Sequence, residues 1–403
     1  MMKNRLVKLT TLSLIATTAI YANGYKIPET STSSVSLLAA NVAHSSGADT
    51  AYYNPANMSF MKDENLINAN LILISVDSAR FKGSAYGIDG LDIESESELP
   101  LIPSIHYVSN KYDKFTFGFS MVVPSGVTKE WRESPAKDVA QKFTLEVVEL
   151  NPTLSYKVND NLAVAFGARI LSSHGIVESS STASRDMEGD SLDFGYNLAL
   201  SYKPTSALEF GLTYRNKVDL EEEGNAKLYI GDAKVYDGGG SVKVPLPAQL
   251  NIALAYTFKS KTTLELVYEK SYWSAYKTLD FNYTSNIPAI LQPSMDDPIT
   301  KGWEDTTTYR FGVTQELDKL TLMAGFIIDE TPIPEQSVSF ELPGTDSKSI
   351  SFGAKYQIDK KLSAGFGMLC SMKDSRSVTN DHLNGEFDSS ETYIFSTGVS
   401  YKY

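Results

Sequence analysis

The sequence predicts an all-β chain, a 14-stranded antiparallel transmembrane β-barrel plugged by a small N-terminal hatch. Three observations carry that prediction. Long segments alternate large apolar residues with small or polar ones, the period of a strand with two different faces. The connections between them alternate between tight turns and long polar loops. After residue 22 no run of about 18 apolar residues exists to cross a membrane as a helix, yet 23 Tyr, 18 Phe and 26 Gly suit an extended, half-buried chain. The domains follow in order: a signal peptide at 1–22, a hatch at 23–62 and a barrel at 63–403.

Residues 1–22 carry Lys3, Arg5 and Lys8, then an apolar run over 9–20, then Ala22 as a small residue before cleavage. This is the pattern of a bacterial secretory signal. The net charge is −13, and losing three basic residues with the signal makes the mature chain more acidic still. That balance argues against nucleic acid as a partner. Cys370 is the only cysteine, so no intramolecular disulfide contributes.

The hatch segment, 24–61, is rich in small residues and contains an Asn54-Pro55-Ala56 turn. Strands are then expected at 64–82, 99–110, 114–124, 143–158, 161–178, 190–203, 207–229, 240–258, 262–283, 304–317, 319–330, 347–358, 361–373 and 390–403. The alternation is plainest where Leu162, Val164, Phe166 and Ala168 interleave with Ala163, Ala165, Gly167 and Arg169. Short polar turns at 110–113, 159–160, 203–206, 259–261, 317–318 and 359–360 contrast with long connections such as 125–142, 283–303, 330–346 and 374–389. The asymmetry places both termini and the turns in the periplasm and the loops outside the cell. The last strand alternates Tyr393, Phe395, Val399 and Tyr401 and ends on Tyr403. This ending resembles the signal read by the barrel assembly machinery. Tyrosines near strand ends, among them Tyr156, Tyr202 and Tyr256, form an aromatic girdle against outer-membrane lipid and lipopolysaccharide or pack on the sheet face.

Several inward-phase positions are apolar: Val122, Leu171, Val267, Met323 and Ile327, with Arg169 and Arg310 among their polar neighbours. These residues meet an amphipathic passenger or pack against the hatch, and both alternatives require a filled lumen.

The chain resembles the FadL family of outer-membrane transporters for long-chain fatty acids and other hydrophobic compounds, including its toluene-uptake members. The matching stretches are Gly24-Tyr25 and Asn54-Pro55-Ala56, Ile102 to Val108, Leu212 to Val218, Val244 to Pro247, Trp273-Ser274, Tyr309-Arg310, and Gly325-Phe326 through Pro334. The resemblance implies a passive uptake channel, working as a monomer without a cofactor, in which ligand passes from an extracellular groove to a pocket beside the hatch. It further implies a kinked strand that opens the wall sideways. Pro124-Ser125-Gly126 supplies a physical cause for that kink, although the same residues also suit an ordinary strand end. The hatch turn at Asn54 is expected to meet the kink near Pro124.

At two positions aligned with basic pocket residues of the family this chain has His174 and Glu304, a poor anion site, which favours a less acidic cargo such as a hydrocarbon. His174 equally fits a loop-edge histidine. The four histidines are scattered without metal-ligand spacing, and no catalytic constellation is apparent, so neither an enzyme nor a metal site is expected. A general porin, or a surface adhesin or phage receptor, is the alternative function.

Overall fold

The computed structural model describes residues 24–403, and the expected signal peptide lies outside the described residues. Fourteen antiparallel strands close into a barrel. They are β1 Leu66–Val76, β2 Leu101–Tyr112, β3 Phe115–Glu130, β4 Lys142–Lys157, β5 Leu162–Glu178, β6 Ala183–Tyr202 and β7 Leu208–Arg215. The ring continues through β8 Gln249–Thr257, β9 Thr262–Ser271, β10 Thr306–Glu316, β11 Leu320–Asp329, β12 Ser347–Gln357, β13 Leu362–Lys373 and β14 Ser390–Lys402. β1 pairs with β14 from Leu66 opposite Lys402 to Val76 opposite Thr392, so the sheet has no free edge strand. Closure of this kind satisfies the backbone of a sheet immersed in hydrocarbon.

The turns at one end of the barrel are built from local side chains. Asn159 Oδ1 accepts the N–H groups of Asn161 and Leu162, both at 2.9 Å. Asp359 Oδ1 does the same for Lys361 and Leu362 at 2.7 and 2.9 Å. Such Asx turns specify where a strand stops. The faces are inverted relative to a soluble β-protein: Phe194 is 67% exposed and Leu266 57%, while Glu149, Glu265, Glu269 and Arg310 are buried inside. An apolar belt turned outward with polar groups inward is the solution a lipid solvent demands.

Six strands differ from the sequence expectation: the first ends at Val76 rather than 82, the sixth begins at Ala183 rather than 190, and four more change in how they pair. The third does not end at Pro124; it continues to Glu130 because Ser125–Glu130 find partners on β4, from Val147 to Lys142. The seventh and eighth break at Asn216-Lys217 and Pro247-Ala248, and their upper halves, Val218–Ile230 and Ala233–Leu246, rise as a hairpin beside β6. Pro245 and Pro247 cannot donate to a ladder. The ninth stops at Ser271, where Trp273–Ala275 turns as a short 3₁₀ helix that buries Trp273. At this loop end, Trp131 donates from Nε1 to Phe340 O at 2.8 Å within an aromatic cluster that includes Phe81 and Phe387.

The N-terminal segment contains α1 Thr32–Leu37, α2 Thr50–Tyr53 and a 3₁₀ turn at Pro55–Phe60. Ser31 and Ser34 cap α1 reciprocally, each side chain accepting the other's backbone N–H. Leu38 and Ala39 then take left-handed angles, φ 50° and 58°, which end the helix. The wall holds this segment through its backbone. Glu265 of β9 accepts the N–H groups of Val42 and Ala43, both at 2.7 Å, and of His44 at 3.0 Å. Arg310 of β10 donates to Leu38 O at 2.9 Å.

Close approach requires glycine in the wall. A Cβ on Gly353 of β12 would lie 1.8 Å from Ser36 Oγ, and one on Gly211 of β7 would lie 2.8 Å from Val42 O. Gly353→Val is therefore expected to drive α1 away from its seat without breaking the barrel ladder. Single-channel recording should then show steady ion conductance where the parent protein shows little, and an unchanged trace would mean that α1 does not close the lumen.

Candidate ligand cavity and wall opening

A cavity lies between the N-terminal segment and the wall, with about 830 Å³ of empty space when the open solvent at its mouth is counted. Ile27, Tyr52, Tyr53 and Pro55 line it from the segment, Pro124 and Ser125 from β3, and Arg169, Arg215, Glu269 and Arg310 from the strands beyond. These four strands bring their charges inward because the period of two puts every second residue on the lumen face.

The charges form two groups, each with two cations on one carboxylate. Glu149 of β4 accepts from Arg169 Nε at 3.1 Å and Nη2 at 3.0 Å, and it also pairs with Arg215. The Arg215 guanidinium lies 4.2 Å from the centre of the Tyr52 ring, a cation–π contact. Glu269 accepts from Arg310 Nη2 at 3.2 Å and from Lys26, whose Nζ also donates to Ser271 Oγ at 2.7 Å. Glu29 stands 3.9 Å from Arg310. Burial pushes the Glu29 carboxyl up to about 7, against the lowering pull of the Arg310 guanidinium. A buried charge is tolerated when paired and hydrogen-bonded, and here every guanidinium has a carboxylate. Ile27, Tyr52 and Tyr53 give the cavity an apolar side opposite these charges.

The wall beside the cavity is interrupted. The β2–β3 ladder ends at Ile105 opposite Met121, and the β3–β4 register shifts between Val122 and Ser125. The freed groups of the kink turn inward to the N-terminal segment. Ile27 N–H donates to Pro124 O at 2.8 Å, Gly126 N–H donates to Tyr25 O at 2.9 Å, and Ser125 Oγ donates to Tyr25 O at 2.6 Å. Residues 25–27 thus occupy the backbone position that β2 leaves vacant. Tyr25 is itself fixed by edge-on packing against Trp273, with centroids 4.8 Å apart.

The structure brings together only part of the residue set read from sequence. Pro55, Pro124, Ser125, Arg169 and Arg310 share the cavity, and Gly126 joins the kink through its bond to Tyr25. Val122 packs against Ala39, Tyr52 and Tyr53, and Val267 against Ala40, Val42 and Ala43, so these two meet the N-terminal segment. Leu171, Met323 and Ile327 are buried but do not line the cavity. His174 is on the outward phase of β5, 3.0 Å from Asp190, and does not face the lumen. Glu304 is exposed at the loop end, its backbone N–H bonded to Pro332 O.

The Asn54-Pro55-Ala56 turn also departs from expectation. Asn54 accepts from Ala56 N–H at 3.1 Å and donates to Val42 O at 2.8 Å, and Ala56 packs on Ala163, Ala165 and Ala199. The turn docks on β5 and β6 because small residues there leave room, and contact with the kink falls to Tyr25–Ile27 instead. Sequence reading missed Lys26, Tyr52, Tyr53 and Glu149 as site residues. Inward phase was the available signal for Glu149, Arg215 and Glu269. Among the described residues no group of three or more His, Cys, Asp or Glu is placed to hold a metal ion.

Comparison with known proteins agrees with this architecture. Residues 13–403 match the family described as outer membrane protein transport protein (OMPP1/FadL/TodX). Outer membrane protein P1 of Haemophilus influenzae is 25% identical over 412 residues, covering 89% of this chain and 88% of that protein. The long-chain fatty acid transport protein of Escherichia coli K12 is 21% identical over 442 residues, covering 97% of each. Among solved structures, a Pseudomonas aeruginosa FadL homologue superposes with a TM-score of 0.78 at 20% identity, covering 94% of this chain and 99% of the homologue. The P. putida toluene transporter TodX gives 0.72 at 17% identity, covering 93% and 98%. The chain belongs to the OMPP1/FadL/TodX family of outer-membrane transporters of fatty acids and hydrocarbons.

Proposed function

We propose that the protein is a passive outer-membrane uptake channel for hydrophobic compounds, delivering ligand from the loop end to the cavity and then sideways through the wall at the β3 kink. The single observation that carries this reading is the cavity itself, which borders both the N-terminal segment and the interrupted ladder at Pro124-Ser125. An acyl chain loses roughly 0.8 kcal/mol for each CH₂ it must expose to water, so an exit into lipid avoids a barrier that an axial route imposes. No cofactor is required for movement down a gradient.

In this reading residues 23–62 act as the hatch, the signal peptide 1–22 is removed on export, and both termini and the tight turns lie in the periplasm. Glu149 and Glu269 already occupy the guanidinium forks of Arg169, Arg215 and Arg310, which favours neutral cargo over a carboxylate. Uptake of labelled oleate and of labelled toluene by cells with and without the protein tests the function. Cells producing the protein are expected to take up at least one of the two faster, toluene foremost. Equal uptake in both strains would sink the reading, and steady ion conductance in a planar bilayer would favour a general porin instead.

A further inference from the structure

We propose that the wall carries a second lateral passage for hydrophobic cargo, at the seam between β6 and β7 that Asn216 latches; this rests on the uptake reading above. The ladder from the turn end stops at Asn197 opposite Arg215. It resumes only at Asp190 opposite Glu223. Residues 191–196 of β6 therefore face residues 216–222, one residue more, and the surplus makes a bulge. On its other side the same stretch of β6 is paired without interruption to β5, from Arg169 opposite Gly195 to Ser173 opposite Ser191. The looseness belongs to one side of one strand.

Asn216 spans the start of the seam. Its Oδ1 accepts from Tyr196 N–H at 2.6 Å, and its own N–H donates to Tyr196 O at 3.1 Å. Its carbonyl accepts from Arg169 Nη1 at 2.8 Å, which ties the seam to the charged wall of the cavity. Opposite stands Gly195, where a Cβ would lie 2.6 Å from Asn216 Oδ1 and 2.8 Å from Val218 Cγ2. Side chains fill the space against a residue that has none. At the far end Glu222 reaches Ser173 of β5 and closes the interval.

A route needs both an inner and an outer end. Inside, Arg169, Asn197 and Arg215 flank the seam and line the ligand cavity. Outside, Leu198, Leu212, Tyr214 and Phe166 form an apolar hollow in the lipid-facing wall, beginning one residue from the last ladder pair. Phe194 stands beside it, turned fully toward lipid. The kink at β3 is covered from inside by the backbone of residues 25–27, whereas here the junction between β6 and β7 is held at Tyr196 by one asparagine. Opening requires that latch to release and the side chains of Asn216 and Val218 to turn aside, with no ladder to unzip between Ser191 and Gly195.

The test compares uptake of labelled toluene in cells producing four proteins: the parent chain, a variant with Pro124-Ser125-Gly126 replaced by Val-Thr-Val, and that variant with either deletion of Asn216 or Asn216→Ala. Heat-modifiable gel mobility reports folding of each barrel. Filling the kink is expected to leave residual uptake. Deleting Asn216 equalises the two strands, lets the ladder run through, and should bring that residue down to the level of cells lacking the protein. Asn216→Ala removes the side-chain half of the latch and clears the space over Gly195 without changing chain length, and should raise it. The proposal is overturned if the kink-filled variant already matches protein-free cells, or if a folded deletion variant or the alanine variant leaves residual uptake unchanged. Should the deletion not fold, the alanine arm decides alone. Failure of the uptake reading shows separately, as a parent protein no better than none, and removes this proposal with it.

Discussion

Replacing Pro124-Ser125-Gly126 with Val-Thr-Val is expected to remove most hydrophobic uptake from a barrel that remains folded. In the native chain, β3 leaves β2 after Met121 and shifts register against β4 before Ser125. Pro124→Val restores the one missing N–H donor, and valine and threonine supply strand-forming side chains, so the β2–β3 ladder can continue upward. Each new backbone hydrogen bond adds about 0.5–1.5 kcal/mol, which makes a rise in stability the natural companion of the loss in transport. Residues 25–27 lose the partners they hold at Pro124 O and Gly126 N–H. A ligand denied the kink is left with the narrower β6–β7 seam or a wetter axial path, and on the latter exposing two methylenes at roughly 0.8 kcal/mol each already corresponds to about a tenfold loss in rate. Uptake of labelled toluene, measured beside gel mobility of the folded barrel, checks both halves. Full uptake through a folded variant would remove the β3 kink from the route.

Much of this molecule was legible in the sequence because its two governing periods are local. Alternation along single strands fixes which side chains face lipid, and tight turns such as Asn159-Asp160 end strands through their own side chains. Fourteen strands and closure followed from counting. The breaks at Asn216 and Pro247 were not legible as breaks, because residues on both sides keep an alternating pattern and only the pairing partners change. The site was harder. Inward phase put Arg169 and Arg310 on the lumen face, where both border the cavity, since the barrel wall imposes it, yet phase says nothing about height. Leu171 and Met323 are buried inside without reaching the cavity. His174 was placed by alignment rather than by phase, and its even position on β5, beside outward-facing Ser172, turns it away from the lumen. The N-terminal segment has no period at all. Its contacts depend on which wall strand offers a glycine or a carboxylate, as Gly353 and Glu265 do, and that information is spread across the chain.

Glu149→Gln is the substitution that separates the two cargo classes. Glu149 is fully buried and holds Arg169 through two bonds and Arg215 through another, so one negative charge serves two guanidinium groups. Glutamine keeps the shape and one acceptor oxygen but leaves two buried cations facing each other. Removing one partner of a buried pair costs about 3–5 kcal/mol, and urea unfolding in detergent should show a lower midpoint. The same change adds to the positive excess of the cavity wall, with Arg215 held over Tyr52 and Arg169 still tied to Asn216. A carboxylate entering from the loop end then finds the fork geometry that Glu149 occupies in the parent protein. The ratio of oleate to toluene uptake should rise, even as total uptake falls with stability. Both cargoes must be measured on the same cells, because a lower amount of folded protein scales them equally and leaves their ratio fixed. A ratio unchanged in a folded Glu149→Gln barrel would mean that neither Arg169 nor Arg215 meets the ligand head. The cationic wall would then serve only to hold β4, β5 and β7 together.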